Sequence, residues 1–162
     1  MKKFALFFIV LISVFSLSAE AFLSVNDLES AKIVERVEFD GVFIVGAEGK
    51  HVTVEEADAK EAPDGEVFNL RIKLEGSGSA KHRHIELNAK KGETLKVYLI
   101  SSGEDVRNLA VVNKDTGAEI GVLDAPGKND PIGIASIEIP ADGTYLLYSK
   151  NKGINIYLVI CE

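Results

Sequence analysis

The stretch VFNLRIKLE at residues 67–75 alternates with a period of two. Leu70, Ile72 and Leu74 fall on one side, and Arg71, Lys73 and Glu75 on the other. A helix would need apolar residues three and four apart, so this stretch reads as a strand with one buried face and one wet face. Outward from it, segments rich in Val, Ile, Leu, Phe, Tyr and Thr recur at 42–46, 51–55, 82–88, 94–101, 107–113, 119–123, 134–139, 144–150 and 154–161. Ten such strands with turn signals between them predict an all-β chain, an antiparallel β-sandwich or jelly roll. Residues 114–117, 140–143 and 151–153 each end in a Gly where a tight turn would need positive φ, which predicts hairpins. Residues 76–79, Gly-Ser-Gly-Ser, read as a flexible connection. Only Ser24 to Arg36 carries a helical pattern, with Leu28, Ala31 and Ile33 on one face and Ser24 and Asp27 placed to cap it. No helix follows each strand, which excludes a parallel α/β fold.

The 162 residues begin with Met1, Lys2 and Lys3, then an apolar run from Phe4 to Leu17, then Ala19-Glu20-Ala21. That order is the signature of a secretory signal with small residues at the cleavage site, so the mature chain is expected to start near Phe22 in a secreted or periplasmic setting. The run of 14 is shorter than the roughly 20 apolar residues that a bilayer core requires, so no membrane span is expected. The organisation that follows is a signal peptide at 1–21, an N-terminal lead segment at 22–40 holding the short helix, and a single β-sandwich module at 41–162. At 46% hydrophobic and 27% charged residues, the composition suits a packed domain rather than a disordered chain. Net charge is −7, and −8 once Lys2, Lys3 and Glu20 are removed, which argues against a nucleic-acid partner. Cys161 stands alone, so no intrachain disulfide can form, and its apolar neighbours mark it as a small core or edge residue.

Chemical motifs are sparse. Gly76, His82 and His84 match the opening of the cupin signature, but Asn88 and Ala89 stand where its Glu should follow. The pair therefore reads as a solvated strand face shared with Glu86. Phosphate-cradling loops, Cys-x-x-Cys pairs, a Gly-x-Ser-x-Gly elbow and the EF-hand acidic pattern are absent, and the chain is not expected to be an enzyme. No cofactor is expected. The alternatives left open are an adventitious divalent metal on His82 and His84 beside Glu86, and structural calcium on Asp124, Asn129 and Asp130, which share a Gly/Pro-containing loop.

Charge is distributed unevenly. Residues 48–66 hold seven acidic and two basic side chains, while residues 71–96 hold seven basic and three acidic. Period-two geometry sends Arg71 and Lys73 outward, and a hairpin across the Gly-Ser turn would bring Arg83 beside them as a positive patch. In 154–161, Ile154, Ile156, Leu158 and Ile160 form an apolar row, which leaves Asn155 and Tyr157 together on the opposite face for a ligand. The planar fork of Arg suits carboxylates, so an acidic polysaccharide or oligosaccharide is the partner such a patch would attract.

An ordered series of short motifs carries a resemblance: Arg71 through Ser79, Arg83-His84-Ile85, Thr94 through Tyr98 with Ser101-Ser102, Arg107-Asn108-Leu109, and Asp142 through Tyr145 on to Gly153 through Tyr157. From about Gly41 to the C-terminus the chain resembles the non-catalytic β-sandwich module attached to many secreted bacterial pectate lyases. The resemblance implies a carbohydrate-binding or accessory role on plant cell-wall polysaccharide. The family's Arg-x-Lys pair falls on Arg71 and Lys73, its second Arg on Arg83 and its third on Arg107. With no Trp in the chain, stacking on a neutral crystalline glucan is disfavoured, and an acidic, pectin-type chain read by Arg, Lys, Asn and Tyr fits better. The alternative is a structural or protein-interaction domain of the cell envelope, docking on a partner enzyme or envelope protein through a sheet edge or face.

Overall fold

A computed structural model describes residues 21–162, so all of the signal expected at 1–21 except Ala21, which opens the first strand, lies outside the described residues. Thirteen strands follow one another: β1 (Ala21–Ser24), β2 (Ala31–Ile33), β3 (Arg36–Phe39), β4 (Val42–Val45), β5 (Val52–Glu61), β6 (Val67–Leu74), β7 (His84–Ala89), β8 (Thr94–Ser101), β9 (Arg107–Asn113), β10 (Glu119–Ala125), β11 (Gly133–Glu138), β12 (Gly143–Ser149) and β13 (Ile154–Cys161). They form two antiparallel sheets packed as a sandwich. The first has the order β11-β8-β13-β6-β5-β2, with β1 also paired to β13, and the second has the order β10-β9-β12-β7-β4-β3.

The ten expected strands are all present. Residues 21–39 add three more, and this corrects the reading of the lead segment: instead of a helix from Ser24 to Arg36 there is one 3-10 turn, Val25–Asp27, between β1 and β2 of the first sheet, followed by β3 of the second. Ser24 does cap that turn, its side chain accepting from the Asn26 amide. β3 and β4 meet at Asp40 and Gly41, which both take positive φ (47° and 80°), the backbone of a tight two-residue hairpin.

Period-two patterning builds the core. Ile72 and Leu74 of β6, Leu95, Val97 and Leu99 of β8, and Ile154 and Ile156 of β13 face Val42, Ile44, Ile85, Leu87, Leu109, Val111, Tyr145 and Leu147 of the second sheet, all fully buried. Each large apolar side chain so buried contributes on the order of 1.5–3 kcal/mol, which lets the domain dispense with a disulfide. Cys161 joins this core as a free thiol, and burial together with the nearby Glu93 pushes it up to about 12.

Three expected connections differ. Residues 114–117 do close the β9–β10 hairpin, with Gly117 at φ 71°. Residues 140–143 and 151–153 instead carry the chain from one sheet to the other, and neither Gly143 nor Gly153 has positive φ. Gly153 is needed for close approach: a Cβ there would sit 2.6 Å from the Ser102 hydroxyl. The Gly-Ser segment also crosses between sheets, and Gly78 is wedged against the Arg83 carbonyl and Tyr148, so it is a tight crossing rather than a loose hairpin. The amide of Gly78 donates to the Ser149 carbonyl at 2.9 Å.

The apolar row on β13 is broken as well. Ile156 pairs with Leu99 and Leu158 with Tyr98, so Tyr157 is an extra residue in a β-bulge and the alternation changes phase there. Beyond it Val159 and Cys161 turn to the core, and Ile160 is left only partly buried.

A candidate ligand cleft on the outer face of the first sheet

Residues opposite one another in an antiparallel pair point to the same face. Asn155 lies opposite Lys73 of β6 on one side and Ile100 of β8 on the other, so all three leave the core together. Arg71 stands two residues before Lys73 on that face, and the bulge adds Tyr157. With Lys60 of β5, Ser102, and Lys128 and Asn129 from the loop at 126–132, these side chains line a cleft of about 380 Å³. Four of its nine lining residues are cationic and none is acidic.

The cleft's chemistry is set by how its polar groups are paired. Arg71 Nε and Nη2 donate to Glu55 Oε1 at 2.9 and 2.5 Å across the β5–β6 pair. Lys73 Nζ lies 3.2 Å from Glu75 and 3.6 Å from Glu55. Burial alone would raise Glu55, but the Arg71 hydrogen bonds and the charges of Arg71 and Lys73 outweigh it and hold the carboxyl below its ordinary 4.5. The acidic 48–66 block therefore lies against the basic block and neutralises part of it. Lys60 has no carboxylate partner among the described residues, and its Nζ donates to the Lys128 carbonyl at 3.2 Å. Lys128 has a long pairing of 3.7 Å with the exposed Glu104.

The floor of the cleft is buried. Asn155 is 4% exposed, and its Oδ1 has no hydrogen-bond partner among the described residues. Tyr157 is 1% exposed and packs on Phe68 at 5.4 Å between ring centroids. Burial pushes its phenol above 10.0, and the Arg71 charge opposes the shift. Beside it the tip of the β5–β6 arm bends over the sheet, where Tyr98 donates to Asp64 Oδ2 at 2.6 Å. That hydrogen bond, with burial, takes the Tyr98 phenol up to about 12.

Of the six residues singled out from the sequence, the structure brings Arg71, Lys73, Asn155 and Tyr157 together. Arg107 is behind the cleft: its Nη1 donates to the Gly153 carbonyl at 2.6 Å and to the Ser102 hydroxyl at 2.7 Å, so it fixes a lining residue from beneath. Arg83 is elsewhere. Because β6 and β7 belong to different sheets, the expected hairpin does not form, and Arg83, at φ 54°, turns its Nε to the His51 carbonyl at 3.3 Å. Lys60 and Lys128 were not anticipated, since only the bend of β5 and a distant loop place them at the cleft.

The His-x-His stretch is not the solvated face that the sequence suggests. His84 and Glu86 are buried, His84 Nδ1 is 2.9 Å from the Ser79 carbonyl, and Arg36 and Lys114 close on Glu86 at 2.8 and 2.9 Å. Of the calcium candidates, Asp124 accepts from Asn108, Asp130 accepts from the Gly127 amide, and Asn129 lines the cleft. Among the described residues no three His, Cys, Asp or Glu side chains group closely enough to hold a metal ion.

No protein-family model matches the chain, and no curated protein matches it. Among solved structures, the carbohydrate-binding module CBM36 in complex with calcium and xylotriose is similar at 8% identity and TM-score 0.43, over 83% of this chain and all of that one. The C-terminal CBM6 of LamC, a marine laminarinase from Zobellia galactanivorans, is similar at 14% identity and TM-score 0.40, over 88% of this chain and 98% of that one. The structure of CBM51-2 in complex with GlcNAc and INT domains from Clostridium perfringens ZmpB is similar at 11% identity and TM-score 0.45, over 88% of this chain and 32% of that one. At TM-scores below 0.5 these likenesses say nothing about a ligand.

Proposed function

We propose that the chain is an exported, non-catalytic module that binds acidic polysaccharide or oligosaccharide, of the pectin type, in the cleft on the outer face of the first sheet. The observation that carries this reading is the convergence of Arg71, Lys73, Asn155 and Tyr157, on two adjacent strands, with Lys60 and Lys128 around one cleft that has no acidic lining residue. The resemblance to the module of bacterial pectate lyases points the same way, and the signal-like first 21 residues support export. Cations at intervals along a groove suit a uronate chain, which repeats its carboxylate, while Asn and Tyr suit its hydroxyls. Each charge-assisted contact is worth about 1.5–3 kcal/mol at most, and less where salt screens it, so binding is expected to be weak and salt-sensitive.

The alternative, an envelope domain docking through a sheet edge or face, would be favoured by exposed apolar residues on a long edge strand; the six-residue edge strand β11 exposes Ile134, but beside Ser136 and Glu138, and the other edges are short or charged. β2 and β3 are three and four residues long, β3 carries Arg36 and Glu38, and β10 carries Glu119 and Asp124 with an irregular register. Calorimetry of the mature protein with polygalacturonate tests the binding reading. Saturable heat that diminishes as salt rises supports it, and no heat at low salt refutes it.

A further inference from the structure

Within that reading of the cleft, which this step presupposes, the cations are not equivalent. Arg71 and Lys73 already share Glu55 and Glu75, so a ligand carboxylate arriving there competes with a partner that is covalently local. Lys60 has no such competitor among the described residues, and the long contact of Lys128 with Glu104 joins two half- to mostly exposed side chains that water holds apart cheaply. The fixed anchor between these two lysines is a hydrogen bond from Lys60 Nζ to the Lys128 main chain, which leaves the other ammonium protons of Lys60 available.

Asn155 also lines the cleft, and because its Oδ1 is closed off without accessible surface, the side chain offers a ligand its Nδ2 donor. A neutral amide N–H suits the oxygen of a neutral hydroxyl and leaves a charged carboxylate to the ammonium groups. We infer that the cleft is built for a hydroxy acid of the sugar-acid class, with the carboxylate on Lys60 and Lys128 and a ring hydroxyl accepting from the Asn155 side-chain amide. Arg71 and Lys73 then supply general positive potential rather than the principal anion contact.

The test compares trigalacturonate with its methyl ester, which keeps every ring hydroxyl and loses the charge. Wild-type protein should prefer the acid. Lys60→Ala should weaken trigalacturonate binding at least fivefold and leave the ester nearly unaffected, so the preference collapses. Asn155→Ala should weaken acid and ester by the same factor, and Asn155→Ser reads the same contact if the alanine variant does not fold. If Lys60→Ala binds trigalacturonate like wild type while Arg71→Ala with Lys73→Ala does not, the anion assignment is overturned and the cleft reading stands. If Asn155 variants bind both probes normally, the hydroxyl assignment is overturned. If wild-type protein binds neither probe, the cleft reading falls and this inference with it.

Discussion

On the outer face of the second sheet, Arg36 and Lys114 close over Glu86 at 2.8 and 2.9 Å, and the Arg36 guanidinium lies 3.3 Å above the Phe43 ring. On the outer face of the first sheet, Arg71 and Lys73 share Glu55 at the side of an open cleft whose buried Asn155 Oδ1 has no partner among the described residues. Both faces set two cations on a shared carboxylate, and on the first sheet Lys73 also meets Glu75 at 3.2 Å. On the second sheet the carboxylate is central and buried, so the cations are consumed in covering it and sit above buried Leu146, Val112 and Ala110. On the first sheet the carboxylate is at the flank and one-third exposed, and more cations than carboxylates converge. The difference teaches that cation count does not locate a binding face; what locates it is polar capacity left unspent.

Several substitutions would break or sharpen that contrast. The largest effect is expected from Arg107→Ala, which removes the two hydrogen bonds that tie Gly153 and Ser102 together beneath the cleft. A loss of about 3 kcal/mol in chemical denaturation is expected for a buried charged donor with two acceptors. If binding falls by far more than can be explained by the unfolded fraction and Ser102 displacement, Arg107 belongs to the contact surface after all. Next is Glu86→Gln, which leaves Arg36 and Lys114 without their anion. Both are nearly half exposed and can return to water, so the cost should be about 1–3 kcal/mol, with trigalacturonate affinity unchanged.

Arg71→Ala with Lys73→Ala should do the opposite: thermal stability nearly constant, and trigalacturonate binding weaker by about threefold, or ~0.7 kcal/mol, less than Lys60→Ala alone gives. A double variant that simply unfolds would place these side chains with Glu86 rather than with the cleft.

Acidification should give the smallest effect. Burial outweighs the Ser79 and Glu86 contacts and holds His84 below its ordinary 6.5, so as pH falls the unfolded chain takes up this proton before the folded one. Stability is therefore complete above about pH 6.5 and declines below it. Glu86 adds to the decline only below its ordinary 4.5, because Lys114 and Arg36 outweigh burial and hold its folded value lower. His84→Asn, which retains a donor for the Ser79 carbonyl, should flatten the thermal unfolding midpoint between pH 6.5 and 5 and leave the steeper loss below pH 4.5.

Much of the architecture was legible because strand period is local. The segments at 94–101, 107–113 and 154–161 are β8, β9 and β13 with their ends unchanged, and the outward direction of Arg71 and Lys73 follows from the same alternation. What was illegible depends on which strand lies beside which. The partition of β6 and β7 into different sheets moved Arg83 away, and the bulge at Tyr157 reset the face of every residue after it; neither has a local signature. One missed feature did have a signal. Asp40-Gly41 between Arg36-Val37-Glu38-Phe39 and Val42-Phe43-Ile44-Val45 is a strong short-range hairpin pattern, and the weaker helical spacing of 24–36 obscured it. Lys60 could not be found from sequence, since between Glu56 and Lys60 the register of β5 against β6 slips and carries it to the cleft.

The central claim, that unspent polar capacity on the first sheet and not charge as such marks the ligand face, is tested most directly by mapping backbone amide shifts of the mature protein during titration with trigalacturonate. The account predicts saturable changes centred on Lys60, Lys128, Asn155 and Tyr157 and extending to Arg71, Lys73 and Ser102, with the Phe43, Glu86 and Lys114 region unmoved. Changes centred on the second sheet's cations, or none on either face, would contradict it.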